Sequence, residues 1–275
     1  MTKKDENITY HFIGIGELGK MVVEQIHDEC SCEWIKNPSD LAANADMILQ
    51  QHSHGYELIV EYDPEWDTYL NNPQILGLLH HADLAVIVLH QSLRGEIESA
   101  DQLFLQIFGK IPKVILCMKQ RNRMESLPQM QKGISGMIRS IYAPGYVCFD
   151  IEDIAIPEQN NYYGMIYHTD CNTSKQMPGC AKKLINHAIT EINPQDIHYI
   201  HIFMASDLET ELGTLTETAI HIEDALTEDT KICWSHVSRD QYCEITIVLY
   251  LKMHITNQNT LSRICESDNI KDMPF

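Results

Sequence analysis

Apolar positions in the first half of the chain follow a repeating strand–helix rhythm. Tyr10 to Ile15 makes a strand-length apolar run that passes straight into Gly14-Ile15-Gly16-Glu17-Leu18-Gly19, and Leu18, Met21, Val22, Val23 and Ile26 then fall at helical spacing. A second strand is predicted at Glu33 to Lys36, closed by Asn37-Pro38-Ser39-Asp40 as a turn and helix N-cap. Leu58 to Glu61 and Leu84 to Leu89 read as further strands, the latter apolar throughout and so buried on both faces. A helix at Ile97 to Phe108 and a strand at Lys113 to Met118 continue the rhythm, which implies a parallel sheet with helices on both faces.

From Leu127 to Tyr142 the pattern gives a longer helix, ended by Pro144-Gly145. The order then changes. Tyr163 to His168 and Ile197 to Ala205 are strand-like, while Pro178 to Ile192 and Leu215 to Leu226 are helical. Lys231 to Val237 and Glu244 to Leu251 are predicted to pair as a hairpin across Ser238-Arg239-Asp240. This suggests a second, smaller α+β domain with its helices on one face, and a boundary within the segment 145–160. Residues from His254 onward have no periodicity and read as a flexible tail.

Composition narrows the partners. The chain has 275 residues, enough for one large or two medium domains with real cores. A net charge of −19 argues against nucleic acid and against docking to an anionic membrane. The nine cysteines, with no signal peptide in view, read as reduced thiols of a cytoplasmic protein. No apolar run approaches the roughly 20 residues needed to span a bilayer, so direct membrane insertion is not expected. Cys30-Ser-Cys32, His52-Ser-His54 and His80-His81 are the densest groups of metal-ligand residues. None has the paired Cys-x-x-Cys spacing of a structural zinc site, so no metal site is expected.

Two places carry candidate chemistry. The glycines at 14, 16 and 19 lie between a strand and a helix, the right context for holding phosphate at a helix N-terminus. A dinucleotide-binding reading also needs an acid about twenty residues on, and the chain offers only Asn37 and Asp40 there. A Rossmann-type NAD(P) reductase therefore stands as a competing reading. The segment His90-Gln91-Ser92-Leu93-Arg94-Gly95-Glu96-Ile97-Glu98 also follows a strand, so its backbone could face the same ligand. The second place is Phe149-Asp150-Ile151-Glu152-Asp153-Ile154, after the Pro-Gly break. Asp150 and Asp153, three apart, share a face at a helix start. They either cap and solubilise that helix or orient a water for attack.

Gly133-Ile134-Ser135 through Pro144-Gly145 to Asp153-Ile154 resembles the central helix and following loop of the FtsZ/tubulin family. Glu33-Trp34-Ile35-Lys36-Asn37-Pro38-Ser39-Asp40 is similar to the segment after that family's second strand, and Ala82 to Val88 to the strand before its signature loop. The resemblance is collinear from about residue 10 to 252. It implies an α/β fold: a parallel-sheet nucleotide-binding domain joined by a central helix to a smaller α+β domain. The corresponding boundaries are 8–145 for a shortened first domain with the central helix, 146–253 for the second, and 254–275 for the tail.

By the same resemblance, Asp150 and Asp153 fall on the family's two catalytic acids, which reach the GTP of a neighbouring subunit. Gly14, Gly16, Gly19 and Lys20 fall on the first nucleotide loop, Ser92 and Gly95 on the signature loop, and Glu125 on the guanine-reading acid. The implied activity is a GTPase, if active, of a cytoskeletal protein assembling head to tail, serving cell division or membrane remodelling. GTP or GDP is the implied cofactor, with Mg2+ when GTP is bound. Besides its own copies, FtsZ or a membrane adaptor captured by the C-terminal tail are the implied partners, the tail ending Asp272-Met273-Pro274-Phe275.

The departures are as informative. The glycine-rich signature is here Ser92-Leu93-Arg94-Gly95-Glu96-Ile97-Glu98, and losing glycine removes the close backbone approach that phosphate needs. Cys148 stands where the family has Asn, and one strand–helix unit between Met118 and Leu127 is shortened, leaving the basic run Lys119-Gln120-Arg121-Asn122-Arg123. The expectation is weakened GTP binding with slow hydrolysis. The alternative is a non-enzymatic scaffold that keeps the fold and has lost nucleotide.

Overall fold

The computed structural model describes residues 10–52, 55–62, 64–69, 71–91, 112–119, 123–155, 162–239 and 242–252. Ser92, Gly95, the helix expected at 97–108 and the tail 254–275 lie outside the described residues. Strands β1 (His11–Ile15), β2 (Ser31–Ile35), β3 (Glu57–Glu61), β4 (Leu84–Gln91) and β5 (Lys113–Lys119) come first, with helices α1 (Gly16–Ile26), α2 (Pro38–Gln51) and α3 (Pro73–His80) between them. The long helix α4 (Arg123–Tyr142) and the one-turn helix α5 (Ile151–Ile154) follow. The remainder is β6 (Tyr162–Cys171), α6 (Met177–Glu191), β7 (Ile197–Ser206), α7 (Leu212–Glu223), β8 (Lys231–Ser238) and β9 (Cys243–Lys252).

The nine strands among the described residues form one sheet in the order β2-β1-β3-β4-β5-β6-β9-β7-β8. The strands from β2 to β6 run parallel, β9 lies antiparallel between β6 and β7, and β8 is parallel to β7 at the edge. The hairpin expected from β8 and β9 does not form. Lys231 pairs with Tyr199 on β7, while Glu244 pairs with Asp170 and Ala205. The physical reason is burial on both faces. β9 presents Ile245, Ile247 and Leu249 to one core and Val248 and Tyr250 to the other, so it takes a central position between two long strands.

Two apolar layers flank the sheet. One joins α2, α3, α6 and α7 through residues such as Leu41, Leu78, Ile185 and Leu215. The other joins α1 and α4 through Val22, Ile26, Ile134 and Ile138. Both α2 and α3 start at an Asn-Pro pair, with the Asn37 side chain accepting from Asp40 N and the Asn72 side chain from Gln74 N. Asn caps the helix and Pro fits its first turn, where no N–H partner is lost. The sequence pattern marked the first of these as a cap; α3 lies in a stretch it left without an element.

Helices α1 and α4 lie side by side and parallel in a fixed register. Gln131 Nε2 donates to Met21 O, Ser135 Oγ to Gln25 Oε1 and Arg139 Nε to Glu29 Oε1, each pair 110 residues apart. Helix α4 therefore starts level with the N-terminus of α1. Over its 20 residues it carries the chain about 30 Å to the opposite end of the sheet.

Candidate functional site

The first candidate region is the β1–α1 junction, where a strand enters a helix with almost no turn. Gly16 has a φ of +85°, a conformation suited to glycine. Gly14 and Gly19 are in backbone contact: a Cβ on Gly19 would lie 2.7 Å from Gly14 C and 3.0 Å from Ile59 O. All three glycines are thus required by the close packing of α1 on β1 and β3.

The N-terminus of α1 already has an anion. Glu61, at the end of β3 and 6% exposed, accepts a hydrogen bond from Leu18 N at 3.0 Å through Oε2. This is the third N–H of the helix, one of the donors a bound phosphate would use, and the helix dipole favours the carboxylate there. Gly16 allows this approach, because a Cβ there would sit 3.3 Å from Glu61 Cβ. Lys20 is turned elsewhere: its ammonium lies 3.6 Å from Glu24 and 4.8 Å from the ring centre of Trp34. Trp34 is 43% exposed and donates through Nε1 to Gly16 O at 3.1 Å. The residues at this loop, as placed, do not fit a phosphate, since Glu61 holds the seat and repels a second anion.

Glu125 lies in the first turn of α4, level with this loop by the register with α1. Strand β4 ends at Gln91 on the same end of the sheet; Ser92 and Gly95 lie outside the described residues.

The second region is at the other end of α4. Asp150 is the N-cap of α5, and its Oδ1 accepts from Asp153 N at 2.8 Å. Asp153 Oδ2 accepts in return from Asp150 N at 3.0 Å. The two acids form a reciprocal capping box that satisfies two N–H groups at the helix start. Both are solvent-exposed. Burial raises the Tyr10 hydroxyl above its usual pKa and the Glu57 and Asp150 charges add to it, in keeping with an Asp150 that follows the far end of α4, on the side where β1 and β3 begin. Asp150 and Asp153 are therefore not brought together with Gly14, Gly16 and Gly19 in one chain. Along β3 alone, Glu57 and Glu61 are separated by about 13 Å.

The loop between α4 and α5 is held by residues that sequence reasoning did not single out. His236 is fully buried and meets Ser206 Oγ through Nε2 at 2.8 Å, while its ring stacks on Tyr146 at 5.2 Å. Its backbone N donates to Val147 O at 2.8 Å, and a Cβ on Gly145 would lie 2.6 Å from His236 C. Arg139, 1% exposed, donates from Nε to both carboxylate oxygens of Glu29 at 3.1 and 3.2 Å. Arg239 and Tyr142 donate to that carboxylate as well, so Glu29 ties α1, α4 and the end of β8 together. In the same loop Tyr146, 54% exposed, donates through its hydroxyl to the carbonyl of Leu208, which is 65% exposed.

Sequence reasoning missed Glu61. The available signal was a pair of glutamates, Glu57 and Glu61, at the two ends of β3 around the apolar Leu58-Ile59-Val60, and all five positions are buried.

Solved structures resemble the fold. FtsZ from M. jannaschii, as a W319Y mutant, superposes with a TM-score of 0.59 at 10% identity, covering 89% of this chain and 90% of that one. CetZ from Methanosaeta thermophila gives 0.54 at 12% identity, covering 94% and 89%. CetZ1 from Haloferax volcanii, a GDP-bound monomer, gives 0.51 at 9% identity, covering 94% and 98%. No protein-family model matches the chain, and no curated protein matches it in sequence. The chain has the tubulin/FtsZ-like fold.

Proposed function

We propose that this chain is an FtsZ-fold cytoskeletal protein that assembles head to tail with its own copies and binds guanine nucleotide weakly. The observation that carries the reading is the separation of the two candidate regions. Helix α4 spans the molecule with Glu125 in its first turn and the Pro144–Asp150 loop beyond its last. The glycine loop and the acid pair can therefore meet only between two copies, the glycine end of one against the acid end of the next. Exposed apolar groups accompany both ends: Trp34 beside Gly16, and Tyr146, in the loop that leads to Asp150, with Leu208 against it. Such groups are suited to burial in an interface between copies. The division into a first part, 8–145, and a second part, 146–253, belongs to this reading, with α4 as the rigid spacer.

The nucleotide part rests on Glu61. A carboxylate on the N-terminus of α1 opposes GTP or GDP at Gly14, Gly16, Gly19 and Lys20, and with it the Mg2+ that would accompany GTP. No hydrolytic step is assigned to Asp150 and Asp153, whose oxygens serve the cap. This favours the scaffold version of the reading, in which assembly persists without turnover.

The test is sedimentation and negative-stain microscopy of the purified chain over a range of concentrations, with the guanine nucleotide released on denaturation measured in parallel. Concentration-dependent linear assemblies with far less than one nucleotide per chain are expected. A chain that stays monomeric at every concentration would overturn the assembly. Stoichiometric GDP would overturn the weak-binding part alone.

A further inference from the structure

The edge of the sheet next to α2 gathers three metal-ligating side chains that the reading above does not use. His11 opens β1, Glu33 lies in β2, and His52 caps the end of α2. One donor atom from each lies within 4.8 Å of the others. His11 Nε2 is buried and has no hydrogen-bond partner among the described residues, since Glu33 Oε2 is 3.9 Å away. A buried, unpaired ring nitrogen is destabilising and calls for a physical reason. The other ring nitrogen, Nδ1, is 2.7 Å from Ser31 Oγ. With Nδ1–H donated to Ser31, Nε2 carries its lone pair toward Glu33, the arrangement that orients an imidazole for metal binding.

We propose that His11, Glu33 and His52 bind one borderline divalent transition-metal ion of the Zn2+ class. Two imidazole nitrogens and one carboxylate oxygen suit Zn2+, whereas Mg2+ and Ca2+ prefer all-oxygen sets. The His11 and His52 rings are stacked at 3.5 Å and 18°, so their ring-nitrogen lone pairs lie in nearly parallel planes. A tetrahedral ion needs donors about 3.4 Å apart and converging. His52 is the ligand that turns, because it caps α2 through its backbone N–H to Ile48 O at 2.9 Å and, among the described residues, its ring holds only aromatic contacts. Three protein ligands leave a fourth position for water or an incoming side chain, and Glu33, with 31% of its side chain exposed, gives an entry path.

A second group, His168, Asp170 and Glu244, has a similar composition but is already neutralised. Lys132 contacts Asp170, Arg139 lies 3.7 Å from Glu244, and both ring nitrogens of His168 have partners. It serves as the internal control.

The experiment is titration of the full chain with Zn2+ by calorimetry and with Co2+ by absorption spectroscopy. One equivalent is expected, with a visible Co2+ band typical of nitrogen and oxygen ligands. His52→Ala and Glu33→Gln should each weaken binding at least tenfold, while Asp170→Asn should leave it unchanged. The proposal is overturned if no saturable 1:1 binding occurs, or if both variants bind as the parent does. Loss in Asp170→Asn alone overturns it too, as does a thiolate-to-cobalt band, which would place the ion at the adjacent Cys30 and Cys32 thiols, 3.6 Å apart.

Discussion

The two ends of α4 satisfy their polar groups in opposite ways. At the glycine end, the helix N-terminus of α1 is satisfied by Glu61, a residue 43 positions away in sequence and buried beneath the loop. At the acid end, the N-terminus of α5 is satisfied by Asp150 and Asp153, three positions apart and exposed to water. A long-range buried anion can be displaced only by rebuilding the end of β3, whereas a local exposed cap can open at the cost of one turn of helix. The glycine end is therefore the fixed partner in any contact between copies, and the acid end the adaptable one.

The largest effect should come from filling the close approaches that fix each end. Gly14→Ala forces a methyl into the Gly19 backbone, and Gly145→Ala forces one into the His236 backbone. Each should cost about 3 kcal/mol by urea denaturation, at the upper end for overpacking. A loss under 1 kcal/mol at either site would mean that its approach is not rigid.

A pH series tests the buried acid near the acid end. Burial, reinforced by Asp83, pushes the Glu57 carboxyl up to about 7, and its Oε2 has no hydrogen-bond partner among the described residues. The folded state thus holds a proton that the unfolded chain releases at its lower pKa. The penalty is absent below pH 4.5, grows as pH rises, and is complete above about 7, where it reaches about 3 kcal/mol. Glu57→Gln should therefore be more stable than the parent at pH 8 and equal to it at pH 4. Equal pH dependence in parent and variant would remove Glu57 from the account.

Glu61→Ala addresses the comparison directly. Loss of the cap should cost about 1 kcal/mol. The vacated seat should let GTP raise the melting temperature further than it does in the parent. If GTP shifts the parent as much as the variant, Glu61 is not the barrier. The smallest effect is expected at the acid end. Asp150→Asn keeps a capping oxygen and should stay within a few tenths of a kcal/mol of the parent, with assembly unchanged. Abolished assembly in this folded variant would show that the charge, not the cap, serves the contact.

Much of the fold was legible because local pattern and burial agree. The apolar runs of β1, β4 and β5 and the helical stripes of α1 and α4 are each decided by residues close in sequence. The β8–β9 pairing was not, because a short connection such as Ser238-Arg239-Asp240 looks like a hairpin turn whenever the alternative partners are remote. Only the assembled sheet shows that β9 has apolar groups for both faces and so belongs at its centre.

The candidate site divides along the same line. The sequence by itself determined that Gly14, Gly16 and Gly19 join a strand to a helix and that Asp150 and Asp153 start another, since turns and caps are local. It also determined the collinear order of elements that the FtsZ/tubulin fold shares. Only the tertiary structure decided that Glu61 sits on the helix that a phosphate would use, that the glycines and the acids lie at opposite ends of α4, and that His11, Glu33 and His52 meet. Each of these depends on packing between residues far apart in the chain, where charge and distance are set by neighbours that no local spacing reveals.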